Sequence, residues 1–266
     1  MNKKMKMIKC RLCERLFREE DMSDEHYPAR SVGNNDVVQL DLVKMMDSLM
    51  GMDRDFNQFV AERKKKGFSV EESQDAFFDE YLARPLYPKG RTARTLCVAC
   101  NRFLGKYDEA YKKFFEANGN PKIVKGFQQK TKLQIIKAIY AKFLSVPEAI
   151  NEEFDFLDFI RNPDASDYHG KWGLFFVKRD WSTDIMGLRD ISTGKMDWEG
   201  NGEKIVYELT DDKFIFDLLS FEKHQEFEMN NVFEILGAYM LSEGCKEQSG
   251  GYHGQMVLRR LLRSIK

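Results

Sequence analysis

The chain has 266 residues, 42% of them hydrophobic and 13% aromatic, which suffices to bury a core in one large domain or two smaller ones and argues against extensive disorder. Its 42 Lys and Arg nearly balance 43 Asp and Glu, so net charge alone points to neither a nucleic acid nor an anionic surface. No apolar run reaches the roughly eighteen residues of a membrane span, and the basic start, Met1 to Lys9, lacks the apolar stretch of a secretion signal; the sequence predicts a cytoplasmic protein with no membrane partner.

The first chemical signal along the chain is Cys10-x-x-Cys13, matched far downstream by Cys97-x-x-Cys100. Two residues between thiolates make a tight knuckle that offers both sulfurs to one tetrahedral ion, and two such knuckles complete a structural zinc site. A redox pair would need a thioredoxin-like context, and a disulfide an oxidising compartment. Lys9 and Arg11 flank the first knuckle and Arg102 follows the second, placing positive charge where thiolates must stay deprotonated. The fifth cysteine, Cys245, is read as a free structural thiol.

Between the knuckles lie 83 residues, far more than a compact zinc ribbon holds. They begin with Glu25-His26-Tyr27-Pro28 and Gly33. From Asp36 to Leu86 the apolar residues Leu40, Leu42, Val43, Met46 and Leu49, then Phe56, Phe59 and Val60, then Phe77, Phe78 and Leu82 recur at helical spacing. An insertion of two or three helices is expected, one of them ending at Lys64-Lys65-Lys66-Gly67.

After the second knuckle come Asn101, Gly105 and Asp108. The order C-x-x-C, Glu25-His26-x-Pro28, Gly33, then Cys97-Val-Ala-Cys100-Asn101 with a Gly and an acid soon after, resembles the zinc-containing HNH endonucleases. The resemblance covers about Lys9 to Gly33 and Leu96 to Asp108. It implies a ββα-metal fold in which a hairpin carries the acid-His pair and a helix starting at the second knuckle carries the Asn. Glu25 and Asn101 would be oxygen ligands of a catalytic magnesium or manganese ion, and His26 the general base that activates water for phosphodiester hydrolysis. Neighbouring residues on a strand face opposite sides, so Glu25 can turn to a metal while His26 turns to substrate. Asp108 lies two turns beyond Asn101 on the same helix face and is read equally as a metal ligand, an orienting group or a solvated surface acid. The chain departs from the family pattern at the middle Asn, where Thr92 stands, and at the Gly pair, here Gly33-Asn34; Asn34 or Asn35 are the candidate substitutes.

Charge is strongly segregated. Residues 84–145 hold fourteen Lys and Arg against Asp108, Glu109 and Glu116, a local excess of +11. A block of this sign suits a phosphate-tracking surface, and a set of solvated helix faces is the plainer alternative. Arg91, Arg94, Arg102, Lys106, Lys112 and Lys113 are the candidate nucleic-acid contacts.

Beyond this block the helical pattern continues through Ile135, Ile136, Ile139, Tyr140 and Phe143 and from Phe154 to Ile160, then gives way to strand candidates at Leu174–Val177, Asp184–Leu188, Lys204–Leu209, Lys213–Leu218 and Val232–Leu241. His169, His224 and His253 have no metal-ligand spacing, and Met256–Lys266 reads as a basic amphipathic helix.

The expected fold class is α+β: residues 1–35 and 84–118 as a discontinuous HNH module stapled by a four-cysteine zinc site, 36–83 as a helical insertion, 119–165 as a basic helical connector and 166–266 as an α+β C-terminal domain. The expected function is a divalent-metal-dependent endonuclease acting on DNA, with RNA in place of DNA left open, in restriction, phage defence or a mobile element, with room for an activating protein partner. The other reading is a non-catalytic zinc-stabilised nucleic-acid-binding or adaptor protein.

Overall fold

The computed structural model describes residues 6–35, 37–40, 54–120, 123–124, 126–179, 193–223, 230–237 and 247–248. The chain forms two compact units, one of residues 1–34 and 92–266 and the other of residues 35–91.

In the first unit β1 (Met7–Lys9) and β2 (Leu16–Arg18) make an antiparallel hairpin with Ile8 opposite Phe17, and β3 (Met22–His26) follows. The second unit contains β4 (Val37–Leu40), α1 (Arg54–Lys65), α2 (Val70–Phe77), a π-helical turn at Phe78–Leu82, and β5 (Ala83–Tyr87), which pairs antiparallel with β4. Ser69 and Glu72 start α2 with a reciprocal capping box, each satisfying the other's backbone N–H. Phe77 packs edge-on against Phe56 and Phe59 and stacks on Tyr81. The predicted insertion is thus helical only in part. Leu40, expected on a helix, lies in β4, because the apolar residues there fit either period over so short a run. Leu42, Val43, Met46 and Leu49 fall outside the described residues.

The chain re-enters the first unit with β6 (Thr92–Cys97), which runs straight into α3 (Val98–Glu116); α4 (Gln129–Lys142) and the short α5 (Leu157–Arg161) follow. Then come β7 (Gly173–Arg179), β8 (Thr193–Asp197), β9 (Ile205–Thr210), β10 (Phe214–Leu219), β11 (Asn230–Asn231), α6 (Val232–Gly237) and β12 (Glu247–Gln248). Five of these strands form a sheet in the order β11-β7-β10-β9-β8, antiparallel throughout, and β12 adds to β7 in parallel.

One core joins these parts. Leu104, Tyr107, Tyr111 and Phe114 face inward from α3 at helical spacing, and α4 is buried on nearly every side through Ile135, Ile136, Ile139 and Tyr140. The two helices lie on the sheet, with Phe114 stacked on Phe214 and Tyr111 against Phe216. Each such ring or branched chain removed from water contributes about 1.5–3 kcal/mol. Gly119 ends the turn after α3 at φ +75, and a Cβ there would meet the Phe214 ring at 2.9 Å, so the junction of helix and sheet requires glycine.

The core also corrects two expectations. Cys10, Cys97 and Cys100 belong to the same apolar cluster as Ile136, Phe156, Trp172 and Phe216, so the expected connector and C-terminal domain share one interior with the cysteine module. The strand expected at Val232–Leu241 is the helix α6 as far as Gly237, started by the Asn231 side chain accepting from the Phe233 N–H at 2.9 Å. Thr193–Asp197, whose composition gives little strand signal, forms edge strand β8. Asp184–Leu188, His224, Cys245, His253 and the tail at Met256–Lys266 lie outside the described residues.

Candidate metal centre and the strand-strand-helix site

The first knuckle is the turn of the β1–β2 hairpin. The Cys10 N–H donates to the Arg15 carbonyl at 2.9 Å and the Glu14 N–H to the Cys10 carbonyl at 2.8 Å, while Glu14 takes a left-handed φ of 61 to complete the turn. The second knuckle is the β6–α3 junction: Cys97 ends the strand and caps the helix, and Cys100 lies in its first turn. The four sulfurs lie within 4.8 Å of one another, and the Cys97 N–H points at the Cys10 sulfur at 3.3 Å. A tetrahedral zinc with bonds of about 2.3 Å spaces its sulfurs by about 3.8 Å, so this donor set fits such an ion with small adjustments. Cys10, Cys13, Cys97 and Cys100 are therefore placed to hold one metal ion, as expected for structural zinc.

The electrostatic support comes from a residue the sequence does not single out. Burial opposes ionisation of Cys13, but hydrogen bonds from the Arg15 backbone and side chain prevail and hold its thiol down at about 6. Arg11, expected to serve the thiolates, instead donates to the Leu144 carbonyl at 2.9 Å and the Glu152 carbonyl at 2.7 Å and lies over Phe154. It staples the knuckle to the loops around α5, and burial pulls its pKa down to about 10.

β3 pairs antiparallel with β6, placing Met22 opposite Cys97, Glu25 opposite Ala93 and His26 opposite Thr92. The register shifts between Ser23 and Glu25, a bulge that re-aims the strand so that Met22 and Glu25 are both buried while His26 stays half-buried. The two strands and the helix that follows them form one strand-strand-helix unit, although the second compact unit separates the strands in sequence. Asn101, in the first turn of α3, donates its side-chain amide to the Ser23 hydroxyl on β3. Asn34 is fully buried and donates to the Pro28 carbonyl at 2.8 Å, closing the loop after the Glu-His pair.

Glu25 is not an open ligand. Its carboxylate is bound by the Lys142 ammonium at the end of α4, and the same ammonium contacts Asp108 Oδ2 on α3 at 3.0 Å. The side chains of Lys142 and Glu25 are 8% and 5% exposed, so the pair is interior. Burial raises the pKa of Glu25 against the pull of Lys142, whereas the two carboxylates more than offset burial at Lys142 and hold it protonated. A magnesium or manganese ion at Glu25 does not fit this arrangement, because an ammonium already sits on the carboxylate. Among the described residues, the four cysteines are the one group of three or more His, Cys, Asp or Glu close enough to share an ion.

The basic block also resolves into parts. Lys137 and Lys142, counted among its fourteen cations, are interior; Lys137 donates to the carbonyls of Asn162, Pro163 and Ala165 at 2.7, 3.2 and 2.9 Å. Arg94 is paired with Asp24 at 2.8 Å and Lys112 with Glu116 at 3.7 Å. Arg102, Lys106 and Lys113 are exposed on α3, Lys106 lying over the Phe103 and Tyr107 rings, and Arg91 belongs to the second unit beside Tyr87.

No family model, curated protein or solved structure matches the chain, so what it does is read from its residues and their geometry. Lys142 and Ser23 are the site residues that sequence reasoning misses. A lysine inside the run Ile139-Tyr140-Ala141-Lys142-Phe143-Leu144 is the signal that could have exposed the first; nothing in the pattern around Ser23 marks the second. Among the described residues no helix is long and apolar enough to cross a membrane.

Proposed function

We propose that the chain is an HNH-type endonuclease, with zinc in a structural role and His26 as the general base for phosphodiester hydrolysis. The supporting observation is the unit made of β3, β6 and α3, pinned by four cysteines, with Glu25 and His26 at one strand end and Asn101 tied to the same strand from the helix. A neutral imidazole suits proton abstraction from water near neutral pH, and its half-buried position keeps it open to a substrate. The zinc fixes the junction from which Asn101 projects. Exposed Arg102, Lys106 and Lys113 on the same helix supply positive charge for the phosphate backbone of DNA or RNA.

The resemblance implies a catalytic magnesium or manganese ion, but Glu25 is engaged by Lys142. That engagement favours the second reading, a zinc-stabilised nucleic-acid-binding or adaptor module whose catalytic centre is closed. Nicking of supercoiled plasmid separates them. The zinc-loaded protein is assayed with magnesium, with manganese and without added metal, beside His26→Ala. Nicking that falls by about 100-fold or more in the variant supports the nuclease. Equal inactivity of both proteins, with plasmid retarded on a gel, supports the binding module, and equal activity of both removes His26 as the base.

A further inference from the structure

We propose that Lys142 is the resident cation of the Glu25–Asp108 pair and excludes a divalent metal ion from it. Exclusion of a metal ion from this pair does not depend on whether the chain cuts nucleic acid.

Three elements contribute one charged group each: Glu25 from β3, Asp108 from α3 and Lys142 from the last turn of α4. The two carboxylates would otherwise repel each other in a partly dry site, and the ammonium between them meets that need with two of its three N–H donors. Magnesium requires near-octahedral oxygens at about 2.0–2.1 Å, manganese favours similar oxygen donors, and the ammonium on Glu25 Oε1 and Asp108 Oδ2 competes with a metal ion for the oxygens that face between the two carboxylates. Bringing a dication beside a buried monocation adds repulsion that the low local dielectric does little to screen.

The ammonium also has little room to retreat. The space alongside Lys142 is a cavity of about 10 Å³ whose lining includes Ala29, Ala138, Ile139 and Phe216, which holds at most about one water. The carboxylate that borders it, Asp211, already accepts from the N–H groups of Lys213 and Phe214 at 2.8 Å, and separately from the Tyr111 hydroxyl. Lys142 therefore acts as a positioning residue, fixing the end of β3 that carries His26 against α3 and α4.

The experiment is manganese binding to the zinc-loaded full chain, followed by electron paramagnetic resonance and by the shift in melting temperature. Wild type and Glu25→Gln should bind manganese with equal affinity, because Glu25 is not a ligand. Lys142→Met, which keeps the length of the stem and removes the charge, should bind at least about tenfold more tightly and melt higher with manganese than without. The gain should vanish in Lys142→Met/Glu25→Gln. A wild-type manganese affinity that drops in Glu25→Gln overturns the proposal, as does a folded Lys142→Met that gains no site. If Lys142→Met does not fold, the comparison of wild type with Glu25→Gln decides alone.

Discussion

The Asn101 amide donates to the Ser23 hydroxyl across 78 residues of sequence, tying the first turn of α3 to β3. This bond joins the helix that carries Asn101 to the strand that carries Glu25 and His26. Ser23→Ala should cost about 1 kcal/mol of stability, the usual net value of one such bond. Under the proposed nuclease activity it should also slow plasmid nicking by roughly tenfold to a hundredfold through loss of alignment. Urea unfolding and nicking assays on the same preparation check both. A variant that loses stability but nicks at the wild-type rate would make the bond purely architectural.

Metal content is the second expectation. The purified chain should carry one zinc per molecule by elemental analysis, held by Cys10, Cys13, Cys97 and Cys100. Structural zinc binding reaches an apparent value of about 10–16 kcal/mol in small domains. Strong chelation or Cys97→Ser should therefore abolish the cooperative thermal transition rather than lower it by a few degrees. Retention of that transition without metal would show that the apolar core around α3 and α4 suffices.

Lys137 tests the split of the basic block into interior and surface parts. Its ammonium serves three carbonyls just beyond α5. Lys137→Met should destabilise the fold by about 2–4 kcal/mol, since buried acceptors would lose their donor. Lys113→Met, on the exposed face of α3, should change stability by less than about 0.5 kcal/mol and weaken DNA binding with a shallower salt dependence. Denaturant melts and a salt series of binding isotherms read the two effects.

Alkaline titration probes the core. Burial raises the pKa of Tyr107, Tyr111, Tyr140, Tyr168 and Tyr207, with nearby acids adding to it, including Asp211 beside Tyr111 and Glu152 beside Tyr207. A folded-state pKa raised above the unfolded value of about 10 contributes stability that is complete below that pH and is lost as pH climbs toward the raised value. Tyrosinate absorbance through an alkaline titration reads these five side chains. They should ionise only together with cooperative unfolding, above pH about 10. Smooth ionisation of these five near pH 10, without unfolding, would contradict the packing.

Features that depend on local spacing are legible in the sequence. The two C-x-x-C knuckles converge as their spacing implies, and the helix at Asn101, the apolar faces of α3 and α4, and strands β7, β9 and β10 follow from periodicity. What escapes depends on partners distant in sequence. Lys142 reads as one more surface cation, and only the packing of α4 buries it against Glu25 and Asp108. Val232–Gly237 reads as a strand because a short apolar run suits either element, and the Asn231 cap decides for the helix. The shared core is hidden because boundaries at 118 and 165 follow composition, whereas Phe114, Phe214 and Phe216 pack across them.

The separation of the site's parts along the chain has a consequence for the order of assembly on the ribosome. Cys10 and Cys13 emerge first, but an ion shared by both knuckles could be enclosed only after Cys97 and Cys100 follow, with 83 residues between Cys13 and Cys97. Glu25 must wait longer, because its counter-charge is Lys142 at the far end of α4. The β4–β5 pair and α1–α2 are synthesised in between, with their own packing to complete. A nascent chain halted before α4 would thus hold all four thiols and the acid-His pair with no ammonium to neutralise Glu25, and its carboxylate would stay in water until translation delivers the lysine.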